Sequence, residues 1–306
     1  MEKQQISCFL WLVFSTFTFL GFAQESGVDT SIHKGLKTLK TDYSFKTFVS
    51  NDTLKRSDQT LENLNLAKHY FDALFETYLD FVVVLIENKL WEKHAYFPPP
   101  GMPQAIKGNI ILGLGKSLLS QTVERALLEV PKAHWSTLTT VYGDPLDLDL
   151  FYRDILSIHE LVHLYQFKNG TQPQRKWLQE LFANMGMYAF VKAESKALYP
   201  LMDTYPNFVL KSGARMATYR TLNDFEDKYV QELSPQNYEW FQMQFYKQAQ
   251  TIIDENGPSI LVDLLNFLVE TDLSQTEQLT DAALLTALDA KVGESVANVM
   301  RHWKTP

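Results

Sequence analysis

The chain contains the pentapeptide His159-Glu160-Leu161-Val162-His163. On an α-helix, residues four apart lie one above the other on the same face, so His159 and His163 can aim two imidazole nitrogens at one ion. Neutral imidazoles are zinc ligands, and a zinc ion that does chemistry keeps one position open for water. Glu160 falls about 100° around the helix from His159, close enough to reach that water without being a ligand. The pentapeptide therefore has the makings of a metal site with a base beside it. It is equally compatible with two hydrogen-bonded histidines on an ordinary amphipathic helix. A third ligand is what separates these readings.

Residues 152–170, YRDILSIHELVHLYQFKNG, place Ile155, Leu156, Ile158, Leu161, Val162 and Leu164 on one broad apolar surface, with Gly170 as a stop signal. A second helix is expected over residues 174–197, where Trp177, Leu178, Leu181, Phe182, Met185 and Tyr188 recur in helical period. The turn between them is marked by NGTQP at residues 169–173, short enough for the two helices to run antiparallel. Glu180 on the second helix can then complete a His/His/Glu site with one place left for water. An all-histidine version would need glycine at position 166 and histidine at 169. The chain has Gln166 and Asn169 instead.

HELVH followed by WLQELFAN resembles the gluzincin branch of zinc metallopeptidases, which includes thermolysin-like enzymes and zinc aminopeptidases. Sixteen residues, 164–179, separate His163 from Glu180, slightly fewer than in those two groups. The pattern is most similar to the smaller peptidase MA-like domain family, in which this spacing varies. The resemblance extends over most of residues 43–303, though only the two helices with the ligands are specific.

The resemblance implies an α+β, zincin-like fold with a small mixed-sheet N-terminal lobe, a mainly helical C-terminal lobe, and a zinc site between them. It implies Zn2+ held by His159, His163 and Glu180, with Glu160 as general base and proton shuttle in peptide-bond hydrolysis. Asn184, one turn after Glu180, stands where thermolysin-like enzymes place an aspartate that orients a zinc histidine. Related enzymes also carry an oxyanion donor on a downstream helix. The corresponding position here is near Gln242, with Tyr238 and Tyr246 one turn to either side as candidate donors. The aminopeptidase segment that reads a free N-terminus is absent, so endopeptidase and exopeptidase action both remain open. A peptide or protein substrate is expected as an added strand along residues 108–113, GNIILG, taken as an edge strand. The alternative is a catalytically inactive, zinc-stabilised binding or scaffold protein on a peptidase fold.

Other elements must position these groups. Residues 43–50 alternate aromatic and polar side chains like a strand, and residues 57–79 carry apolar residues at helical spacing. DFVVVLIEN, residues 80–88, is a β-branched run suited to a buried strand, and PPPGMPQ, residues 98–104, is a loop. Beyond residue 117 the helical period dominates. One peptidase domain is therefore expected, with an α/β lobe over residues 43–148 and a helical lobe over 149–306.

The chain has 306 residues, 45% of them hydrophobic and 21% charged, enough apolar material for a large core. A formal net charge of -8 without a basic stripe argues against a nucleic-acid partner. Residues 1–23 read as a signal peptide: Lys3, an apolar run from Cys8 to Phe22, and small residues at Gly21 and Ala23 before a cleavage point. Residues 24–42 read as a flexible leader. The expected location is outside the cytoplasm, periplasmic or secreted, with no membrane contact after cleavage; retention of the segment as an anchor is the alternative. Cys8 is the single cysteine, so the mature chain would have neither disulfides nor a cysteine nucleophile.

Overall fold

The structure is a computed structural model that describes residues 27–51, 58–170, 172–213, 217–229 and 233–303. The expected signal segment, residues 1–23, lies outside the described residues. The fold is α+β. Five strands, β1 (Lys37–Leu39), β2 (Lys46–Val49), β3 (Val82–Ile86), β4 (Gln104–Ile106) and β5 (Asn109–Gly113), form one mixed sheet in the order β1-β2-β3-β5-β4. The outer pairs β1/β2 and β4/β5 are antiparallel, and β2/β3 and β3/β5 are parallel.

The run Val82-Val83-Val84-Leu85-Ile86 becomes a central strand because both of its faces are covered. Successive side chains of a strand point to opposite faces. Val83 and Leu85 enter the main core, while Val82, Val84 and Ile86 join Trp91 and Ile111 in a second cluster behind the sheet. That second face explains a departure from expectation at residues 27–42, the described part of the supposed flexible leader. Val28, Ile32 and Leu36 pack against the second cluster, and buried His33 meets Asn109 Oδ1 through Nε2 at 2.7 Å. The segment is ordered by the apolar surface it covers.

Residues 108–113 are also corrected. They were expected to form an edge strand, but β5 is paired on both sides, with β3 and with β4. A two-residue turn causes this: Lys107 and Gly108 have φ of 44° and 69°. Positive φ at both turn positions matches the twist of an antiparallel pair, so the chain folds β4 back onto β5. A side chain at Gly108 would in addition meet Val28 at 3.0 Å. The edge on this side of the sheet is therefore β4, with β1 at the other.

Twelve helices are described: α1 (Asp58–Leu74), α2 (Trp91–His94), α3 (Leu118–Leu128), α4 (Ser136–Tyr142), α5 (Leu156–Phe167), α6 (Lys176–Glu194), α7 (Tyr199–Gly213), α8 (Leu222–Lys228), α9 (Pro235–Asn256), α10 (Ile260–Glu270), α11 (Asp281–Lys291) and α12 (Glu294–His302). One continuous apolar core runs from Phe45 to Val299 and joins the sheet to the helices. The helix expected from residue 152 begins instead as a π-helix over Leu150–Ile155 and becomes α5 at Leu156. In that wider turn Arg153 and Asp154 are buried as an ion pair, and Thr60 on α1 donates to Asp154 Oδ1 at 2.6 Å. Gly170, at φ 67°, ends the segment as expected. Among the described residues no helix is long and apolar enough to cross a membrane.

The site depends on how closely α5 and α6 approach. At Gly186 an added Cβ would lie 2.6 Å and 2.7 Å from the two methyls of Val162. Only glycine lets the backbone of α6 come so near to α5.

Candidate metal centre

His159 and His163 leave α5 on one face, as their spacing requires, with their rings nearly perpendicular at 84° and centroids 4.6 Å apart. Glu180 reaches them from α6. The two Nε2 atoms are 3.0 Å apart, and Glu180 Oε2 lies 3.4 Å from that of His159 and 3.6 Å from that of His163. All three residues are buried. Among the described residues this is the one group of three or more His, Cys, Asp or Glu side chains placed to share an ion.

The three distances test whether zinc fits. Ligand bonds of about 2.0–2.1 Å make the edges of a tetrahedron about 3.3–3.4 Å long. The edges here, 3.0, 3.4 and 3.6 Å, bracket that length. A proton could bridge only one pair of these lone-pair-bearing atoms, whereas a cation in their midst satisfies all three. The residues fit a zinc ion.

Electrostatics follow from burial. Desolvation holds the His159 imidazole below its usual range, favouring the neutral form a metal requires. Burial pulls His163 the same way, but the hydrogen bond and charge of Glu180, with the charge of Glu160, outweigh it and raise the ring. Burial alone would raise Glu180; the two histidines overcome it and hold the carboxylate well below its usual range. His163 Nδ1 lies 3.4 Å from Gln166 Oε1, an acceptor that keeps the ring proton on Nδ1 and leaves Nε2 for an ion. Phe167 stacks on the same ring at 5.5 Å.

Glu160, on the next face of α5, is partly buried and points toward the sheet edge. Desolvation pushes its carboxyl up to about 7, with Glu180 adding to the rise and His163 opposing it. The backbone N–H of Ala105, on β4, faces it and opposes a little of that rise. A carboxyl poised near neutrality beside a candidate zinc position is suited to taking up and releasing a proton.

The remaining candidates separate. Asn184 does not orient a histidine. Its Nδ2 donates to the Glu180 backbone carbonyl at 2.9 Å and to Gln242 Oε1 at 3.2 Å. Its position four residues after Glu180 turns the amide back along α6, and Gln166 takes the histidine-orienting place. Tyr238 lies at the rim of the cluster, where its hydroxyl accepts Gln242 Nε2–H at 2.8 Å. Tyr246 is not part of the cluster. Its hydroxyl donates to Asp203 at 3.2 Å and accepts from Gln250 at 2.9 Å, because α9 presents it to α7.

Two contributors escape sequence reasoning. Tyr229, just after α8, donates its hydroxyl proton to Glu180 Oε1 at 3.0 Å, and Gln242 Nε2 donates to Oε2 at 2.9 Å. Tyr229 follows a short helix far along the chain and carries no local signal. Gln242 stands near the aligned donor position but is of the wrong residue type for that role.

No protein-family model and no curated protein matches this chain. Solved structures similar to it include the M1 zinc metallopeptidase from Deinococcus radiodurans, at 14% identity and a TM-score of 0.42, covering 88% of this chain and 51% of that one. A mutant of the same enzyme is similar at 14% identity and a TM-score of 0.40, with the same coverage. The chain thus spans about half the length of the solved structures it matches.

Proposed function

We propose that this chain is an exported zinc-dependent peptidase of gluzincin type. The observation that carries the reading is the triangle of His159 Nε2, His163 Nε2 and Glu180 Oε2, with zinc-like edges and Glu160 beside it. Bound by these three residues, zinc would supply a Lewis acid for a peptide carbonyl and lower the pKa of a water molecule.

The protein's own groups do the rest. Glu160 takes the proton of the attacking water and returns it to the leaving nitrogen, a transfer favoured by a carboxyl raised to about 7. A peptide substrate adds to the outer side of β4, residues 104–106, which replaces residues 108–113 as the proposed binding strand.

The test is to measure bound zinc and assay a peptide library with the purified protein and with Glu160→Gln. Retained zinc with cleavage lost by at least a hundredfold supports the reading, in line with the usual weight of a general base, about 10²–10⁴-fold. Cleavage untouched by the substitution rules it out. A second reading, a zinc-stabilised binding protein without turnover, draws on the aligned donor position, which holds Gln242, bound to Glu180 Oε2, in place of a tyrosine. Zinc binding with no hydrolysis across the library would favour it.

A further inference from the structure

Both oxygens of Glu180 are hydrogen-bonded from outside the histidine pair, and the bonds are of fixed direction. Oε2 faces the two imidazoles and also accepts Gln242 Nε2–H at 2.9 Å. Oε1 accepts Tyr229 O–H at 3.0 Å. The orientation of the Gln242 amide is set in turn by Glu180 itself. A backbone carbonyl only accepts, so Asn184, which meets the Glu180 carbonyl at 2.9 Å, must present its NH₂ end there. That same NH₂ meets Gln242 at 3.2 Å, which must therefore offer its oxygen. The Gln242 NH₂ end is left for the Glu180 carboxylate and for Tyr238, whose hydroxyl oxygen accepts at 2.8 Å.

The two tyrosines complete the arrangement. Their rings lie 5.6 Å apart. The Tyr229 proton is directed to Glu180, an ionised acceptor. That bond ends on Oε1, the oxygen that does not face both histidines.

A carboxylate can hold zinc through one oxygen or through both, and a second oxygen takes up coordination space that a catalytic site leaves for water. We propose that Tyr229 and Gln242 are positioning residues that confine Glu180 to single-oxygen ligation through Oε2, which keeps the fourth position of a bound ion open. Tyr229 does so by holding Oε1, and Gln242 by fixing the direction of Oε2. The inference rests on the zinc reading of the cluster and deepens it.

The test uses the whole protein loaded with cobalt(II), whose visible absorption is intense when four-coordinate and weaker at higher coordination. The wild type is expected to give the intense, four-coordinate spectrum. Tyr229→Phe removes only the hydroxyl that holds Oε1. It should weaken the bands and shift them to shorter wavelength as Oε1 joins the ion, with kcat falling more than KM rises. Gln242→Leu, probed independently, should lower zinc affinity by about 10–100-fold in chelator competition, the usual effect of losing a group that orients a ligand. A Tyr229→Phe spectrum identical to wild type, together with unchanged zinc affinity in Gln242→Leu, overturns the proposal even if both variants melt earlier. Wild-type protein that binds neither cobalt nor zinc instead overturns the zinc reading beneath it.

Discussion

The backbone N–H of Ala105 on β4 faces the carboxyl of Glu160 on α5 and opposes part of the rise that burial causes there. In the β4/β5 ladder Ala105 stands opposite Ile110, and the hydrogen-bonding groups of successive residues in an antiparallel strand point alternately to either side. An N–H directed at Glu160 makes the backbone groups of Ala105 face away from β5, with its carbonyl on the same side as its N–H. The proposed general base and the proposed peptide-binding edge are thereby tied together.

A peptide seated on that edge gives one of its N–H groups to the Ala105 carbonyl. Single N-methylation along a good substrate should raise KM at one position by roughly tenfold, the loss of one hydrogen bond worth about 1–1.5 kcal/mol. Methylation at neighbouring positions should have little effect. A substrate insensitive to methylation at every position would remove β4 from the binding surface.

Metal removal should lower stability. The three ligands form in the folded chain and not in the unfolded one, so bound zinc stabilises by mass action, about 2.7 kcal/mol at a free concentration a hundred times Kd. For a chain of this size that corresponds to a melting temperature lower by roughly 4–5 °C after chelation, recovered on adding zinc. Calorimetry with and without a chelator measures it. Equal melting temperatures would mean that the cluster holds no ion.

The histidine pair and Glu180 were legible in the sequence because helix geometry converts a spacing of four into a shared face, and because a carboxylate on the next helix is brought back by a short turn. β3 was legible for a related reason, since a β-branched run with both faces apolar suits a covered strand. Edge and interior in the sheet were not legible. Gly108 signals a turn, but which neighbour Asn109–Gly113 takes on its other side depends on β3, more than twenty residues earlier. The same holds for Tyr229 and Gln242, whose roles arise from packing between elements distant in sequence. Asn184 and Tyr246 failed for a further reason. A resemblance transfers a position on a helix but not the direction of its side chain, and here Gln242 and Asp203 claim them.

Glu239 on α9 is a partly buried carboxyl whose described partners are the hydroxyls of Tyr152 and Tyr205, the latter at 2.9 Å. Desolvation raises it, and the two hydroxyls only partly oppose the rise. A carboxyl with a raised folded pKa is most favourable to folding below its unfolded pKa, and that contribution is lost as pH rises through the folded value. Glu239→Gln keeps an oxygen to accept from the tyrosines and cannot ionise. It should melt higher than the wild type at neutral pH, with the difference shrinking toward pH 4. Melting curves across pH 4–8 decide the matter, and a variant less stable at neutral pH would show that the carboxylate is stabilising.

The contact of Gly186 with Val162 sets the distance between the two ligand-bearing helices, since Val162 lies between His159 and His163 and Gly186 follows Glu180 on α6. Gly186→Ala would drive a Cβ to within 2.6 Å of a Val162 methyl, so α6 must move away. Overpacking of this kind costs about 1–3 kcal/mol, against a gain in helix propensity of about 1 kcal/mol. A net loss of stability is expected, with weaker zinc binding as Glu180 withdraws. Val162→Ala vacates the space that the new methyl needs. On its own it should cost about 1.6 kcal/mol for two buried methyl-sized groups. Combined with Gly186→Ala, it should leave the protein more stable than the sum of the single effects predicts, by about 0.5–3 kcal/mol. Denaturant titration of the four proteins measures that coupling, and strictly additive losses would show that the two residues do not govern the approach of the helices.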